Sequence, residues 1–174
     1  MLIKVSKYEN AYPGSQRKSS QRQASAFGYS ALDYFIACVF LTKHHEVVGP
    51  LFNLMLPMMH QCLELLVKGL AAKADTNFEP KKFSHRTRDV IHAYSALVPC
   101  FAEIMNESEI EVMLEALEES YITVRYGNGV LAYDYEAWEL FRRTAEKLFA
   151  ALHEATGLHF LASQSQHPST ESRG

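Results

Sequence analysis

Apolar residues in this chain return every three or four positions in block after block, and no stretch alternates with period two for long enough to form a sheet. That regularity restricts the fold to helices packed on helices. Ala31, Tyr34, Phe35, Cys38, Val39 and Leu41 outline a first helix that closes near His44-His45. Gly49-Pro50 marks a turn, and a longer helix follows to about Ala74, with Pro57 either kinking it or marking a start one turn later. Residues 75–83 form a loop. Ser84 is placed to cap a third helix carrying Val90, Ile91, Tyr94, Leu97 and Val98, with Pro99 as a bend or stop. Ser108 opens a fourth, with Glu109 and Glu111 in its first turn and Ile110, Met113, Leu114, Leu117 and Tyr121 along its apolar stripe. After a loop over 127–134, residues 135–155 make the last helix, lined by Trp138, Phe141, Ala145, Leu148, Phe149 and Leu152 and ended by Gly157. The expected architecture is all-α, an up-and-down helical bundle of about five helices with short loops.

Charge and polarity divide the chain into three parts. Residues 1–26 carry Lys4, Lys7, Arg17, Lys18 and Arg22 against Glu9 alone, in a Ser/Gln-rich context. They read as a basic, mobile arm on a body at 27–157, and residues 158–174 read as a polar, disordered tail. The whole chain has a formal net charge of −3, which argues against strong non-specific nucleic-acid binding by the molecule as a whole. Cys38, Cys62 and Cys100 sit singly inside apolar helical patterns, as reduced core residues do. No run has the length of uninterrupted apolar residues that a membrane span needs, and no apolar leader follows the N-terminus. A cytoplasmic protein without membrane contact is the expectation.

Three groups of residues carry possible chemistry. Gln61, Glu64 and Lys68 lie three and four positions apart and so share one helix face, as a solvated ion pair or as the wall of a polar groove. Arg125-Tyr126 stand directly before Gly127 and Gly129, where a helix stops. The arginine there either caps the last carbonyls or presents its fork to an anion. Arg86 and Arg88 precede His92; only Arg88 and His92, four apart, share a face. His85 suits support of the helix start by hydrogen bonding. The pair His44-His45 with Glu46, and His60 further on, form no metal-ligand pattern, because neighbouring helical histidines point about 100° apart. Gly127-Asn128-Gly129 is too short for a phosphate loop and lacks its lysine. Neither a metal nor a cofactor is expected.

The order of these features resembles the HEPN family of small helical domains. Asp33-Tyr34-Phe35-Ile36-Ala37 leads the first helix, and His60-Gln61-Cys62-Leu63-Glu64-Leu65-Leu66-Val67-Lys68-Gly69 lies in the second. Phe83-Ser84-His85-Arg86-Thr87 opens the third, and Tyr121-Ile122-Thr123-Val124-Arg125-Tyr126-Gly127 closes the fourth. The resemblance spans residues 29–155. It implies a helical bundle that usually dimerises, and either a metal-independent ribonuclease or a degenerate module that binds a nucleotide, RNA or a partner nucleotidyltransferase. It also implies that Glu64, Lys68, His85, Arg125 and Tyr126 line a common ligand groove, with Glu64 orienting Arg125.

The ribonuclease motif of the family is an arginine followed, four to six residues later, by a histidine. Here Arg125 is followed by Tyr, Gly, Asn, Gly, Val, Leu, Ala and Tyr, with no histidine in reach. The expected function is therefore a non-catalytic HEPN-like module acting as a homodimer on a nucleotide, RNA or protein partner. Its rivals are a divergent toxin-like ribonuclease, as in toxin–antitoxin pairs, using His92 with Arg86 or Arg88, and a structural or regulatory bundle with no ligand site. The homodimer expectation also rests on surplus apolar surface around Phe40 and Met55, Met58 and Met59.

Overall fold

A computed structural model of the 174-residue chain describes residues 20–44, 54–125 and 135–159, with the backbone alone at 122–125. Among these residues six α-helices follow one another: α1 (Ser20–Lys43), α2 (Met55–Ala74), α3 (Thr87–Tyr94), α4 (Pro99–Met105), α5 (Ser108–Arg125) and α6 (Tyr135–Thr156). A short 3-10 turn, Pro80–Phe83, precedes α3, and no strand occurs among the described residues. The protein is all-α. The expected third helix is two, because Pro99 forces Val98 into extended backbone (φ −123°, ψ 95°) and then opens α4 itself.

Helix α2 is the axis of the bundle, packed against α1, α3, α5 and α6. Its buried side chains fall on nearly every side, the signature of a central helix. Pro57 lies in its first turn, where the missing N–H has no helical partner to lose. The helix therefore begins a turn later than Gly49-Pro50 suggests. Phe35 of α1 meets Phe141 and Phe149 of α6 with ring centroids 6.1 and 5.7 Å apart, and Trp138, 6% exposed, packs on Phe141 at 5.5 Å. Gly157 ends α6 with φ 73°, its N–H bonded to the His153 carbonyl. Cys38 and Cys62 are buried free thiols, and burial pushes Cys38 up to about 12.

Helix α1 reaches into the stretch read as the N-terminal arm. It starts at Ser20, and Ala24 and Gly28 are already buried. A side chain added at Gly69 of α2 would meet the Phe27 Cβ at 3.3 Å and the Ala24 carbonyl at 3.4 Å, so small residues let α1 and α2 approach closely. Gln21 fastens the end of the helix: its amide donates to the Thr156 carbonyl at 2.7 Å and accepts from Lys73 Nζ at 2.6 Å. Gln21, a polar residue of the stretch read as the arm, thus caps the end of α6. Leu2, Ile3 and Val5 of the arm lie outside the described residues, as do 45–53 and 160–174.

The surplus apolar surface of the first two helices has two fates. Met55 and Met59 are fully buried within the chain, whereas Tyr29, Ile36 and Phe40 of α1 stay about half exposed or more, at 50, 56 and 57%. By length and composition α1 also qualifies as a membrane span; in the bundle its Ala24, Ala31, Phe35 and Cys38 stripe lies in the core.

Candidate functional site

Helix α2 turns a ladder of polar residues, His60, Glu64 and Lys68, toward the segment that leads into α3. They are four apart and therefore stacked on one face, and all three are buried, at 1, 3 and 6% exposure. A buried carboxylate and ammonium persist only when paired and hydrogen-bonded. Lys68 Nζ meets Glu64 Oε1 at 2.5 Å and donates to the Ser84 carbonyl, also at 2.5 Å. Glu64 Oε2 accepts a hydrogen bond from His85 Nδ1 at 3.0 Å. The ladder is neither a solvated surface pair nor a groove wall with free charges: its charges are spent on one another.

Ser84 gives this arrangement its geometry. Its φ of 48° and ψ of −121° make it the one non-glycine residue with positive φ among the described residues, a conformation that typically costs about 1–3 kcal/mol. The turn aims the Ser84 carbonyl at the buried ammonium and carries the next residue, His85, over the carboxylate. The expected Ser84 cap on α3 is not made. Arg86 occupies the N-cap position without a side-chain bond, and the capping acceptor comes from α5. Glu118 Oε1 accepts from the Arg88 backbone N–H at 2.9 Å while its Oε2 accepts from Arg88 Nε at 3.2 Å.

The two histidines differ. His60 Nε2 faces the His85 carbonyl at 3.1 Å and must carry the proton, since a carbonyl only accepts. Its Nδ1 is then a bare acceptor, 3.8 Å from Glu64 Oε2, and finds no partner among the described residues. Burial holds His60 below its ordinary pKa, against the opposing pull of Glu64. His85, by contrast, has a side chain 44% exposed. Its ring rests on Tyr121 of α5, with centroids 4.5 Å apart, and Tyr121 also touches His60 at 5.1 Å. Its Nδ1 is bound to Glu64, which leaves the opposite, Nε2 edge of the half-exposed ring directed away from the carboxylate.

Of the residues singled out in the sequence, the structure gathers Glu64, Lys68 and His85 in one cluster. The Arg125 side chain and Tyr126 lie outside the described residues, so the convergence of Arg125 on Glu64 does too. Position 125 closes α5 one turn beyond Tyr121, which is in the cluster. The candidates on α3 are occupied or isolated. Arg88 is tied to Glu118 and to Glu115 at 3.2 Å, Arg86 pairs with Asp89 at 3.1 Å, and His92 is exposed.

Two members of the cluster, His60 and Tyr121, stand in the motifs that carry the family resemblance but are not among the site residues drawn from them. His60 extends the Glu64-Lys68 spacing by one further turn, a signal that was present in the ladder itself. Tyr121 reads as an ordinary member of an apolar stripe. Among the described residues no group of three His, Cys, Asp or Glu side chains could hold a metal ion; His45 and Glu46 lie outside them.

Comparison with known proteins agrees with the all-α fold. The family model of the HEPN domain matches residues 44–155, well over half of the chain and spanning helices α2 to α6 almost completely. No curated protein and no solved structure matches it. On the all-α fold and this match, the chain belongs to the HEPN family.

Proposed function

We propose that the chain is a non-catalytic HEPN module that binds a phosphorylated nucleotide, free or within RNA, at the polar edge where His85 and Tyr121 meet the end of α5. The observation that carries this reading is the buried Glu64–Lys68 pair, which neutralises itself and holds one half-exposed imidazole outward. Such a site can recognise a ligand without moving its own charges. The ribonuclease alternative needs an arginine free to offset phosphate charge beside a histidine. Arg88 is committed to two carboxylates and His92 stands on an exposed face, while no histidine follows Arg125 within the family spacing.

The test compares the wild type with Arg125→Ala and His92→Ala on single-stranded RNA in the presence of chelator. The wild type and His92→Ala should bind alike, Arg125→Ala should lose about tenfold or more in affinity, roughly 1.4 kcal/mol, and none should cleave. Chelator-resistant cleavage abolished by His92→Ala makes the protein a ribonuclease instead. A wild type that binds neither RNA nor nucleotide, but captures a nucleotidyltransferase, makes it a protein-pairing module.

A further inference from the structure

We infer that His85 is the phosphate-contacting cation of this site, and that it engages a phosphodiester only in its protonated form. The inference rests on the binding module proposed above and assigns the contact within it.

Lysine is the residue ordinarily expected to meet a phosphate, yet Lys68 cannot. Its ammonium is buried and held by Glu64 Oε1 and the Ser84 carbonyl, both at 2.5 Å, on the inner side of the cluster. The outward group is His85. Glu64 fixes the proton of the neutral ring on Nδ1, because a carboxylate at 3.0 Å only accepts. Nε2 of the neutral ring is then a lone pair, and it repels the lone pairs of a phosphate oxygen. One added proton turns that atom into a charged donor while the Nδ1–Glu64 bond stays in place, so the ring need not reorient. Charge-assisted hydrogen bonds to phosphate are about twice as strong as neutral ones.

The groups that face His85 come from two helices. From α2 it faces Glu64, with Lys68 behind that carboxylate, and His60, whose pKa burial lowers. From α5 it faces Tyr121; Glu118 of the same helix is bonded to Arg88. Arg86, the next residue, is paired with Asp89 at the start of α3. Histidine is the side chain whose charge ordinarily changes between about pH 5 and 8.

The probe is a short oligouridylate with hydroxyl groups at both ends, because neither its diesters nor its bases titrate in this range. Its affinity for the wild type should be about tenfold higher near pH 6 than near pH 8, and His85→Ala should bind weakly with no dependence on pH. By linkage, the NMR titration midpoint of the His85 ring should move up by about one pH unit when the oligomer is bound. That second measurement uses the wild type and needs no folded variant. Equal binding at both pH values, with an unmoved His85 midpoint, overturns the inference and leaves the binding module standing. Absence of binding at every pH, to the oligomer and to ATP alike, removes both.

Discussion

Replacing Lys68 by methionine should destabilise the fold by about 3–5 kcal/mol at neutral pH, the usual result of stranding one member of a buried ion pair. Methionine keeps most of the apolar stem that the bundle buries, so the loss reports the charge rather than a cavity. Glu64, 3% exposed, would keep the His85 proton but lose its ammonium partner, and the Ser84 carbonyl would lose its donor. Combining Lys68→Met with Glu64→Leu should return part of the loss, since removing both charges is less costly than removing one. Urea denaturation of the single and double variants between about pH 5 and 8 checks this. A Lys68→Met protein within about 1 kcal/mol of the wild type at neutral pH would mean that the cluster is wet and its ion pair ordinary.

Trp138→Ala should cost about 3–5 kcal/mol for a different reason. Trp138 is 6% exposed and packs on Phe141, which joins Phe35 and Phe149 in the aromatic contact between α1 and α6. Removing the indole leaves a cavity that the flanking helices cannot fill without giving up their own contacts. The loss here reports packing, whereas that of Lys68→Met reports a stranded charge. A loss below about 1 kcal/mol in thermal or urea unfolding would place Trp138 outside the core.

These two residues also show what was legible beforehand. Trp138 belongs to a stripe that runs through Phe141, Ala145, Leu148, Phe149 and Leu152 at helical spacing, and the observed α6 buries every one of them. Local periodicity carries that kind of information completely. The Glu64–Lys68 spacing, by contrast, reads equally well as surface or interior, because burial depends on what the rest of the chain lays over it. Here the cover is the Ser84-His85 turn and Tyr121. Ser84 itself misleads: a serine before a helix resembles an N-cap, but Glu118, thirty residues beyond Arg88, supplies the acceptor and leaves Ser84 free to turn its carbonyl onto Lys68. Gln21 misleads in the same way, since its role is to fasten the ends of two other helices. Each of these departures from the local signal is a long-range polar contact, which has no period to reveal it.

The claim that a phosphorylated ligand docks at the His85 edge is tested most directly by mapping where it lands. Histidine ring and backbone resonances of the isotope-labelled wild type, recorded near pH 6 with chelator while oligouridylate is added, provide that map. The account predicts shifts of His85, Tyr121 and the segment from Arg125 onward, with His92 and His153 unmoved. Shifts confined to His92 on α3, or to Ile36 and Phe40 on the exposed face of α1, would contradict it.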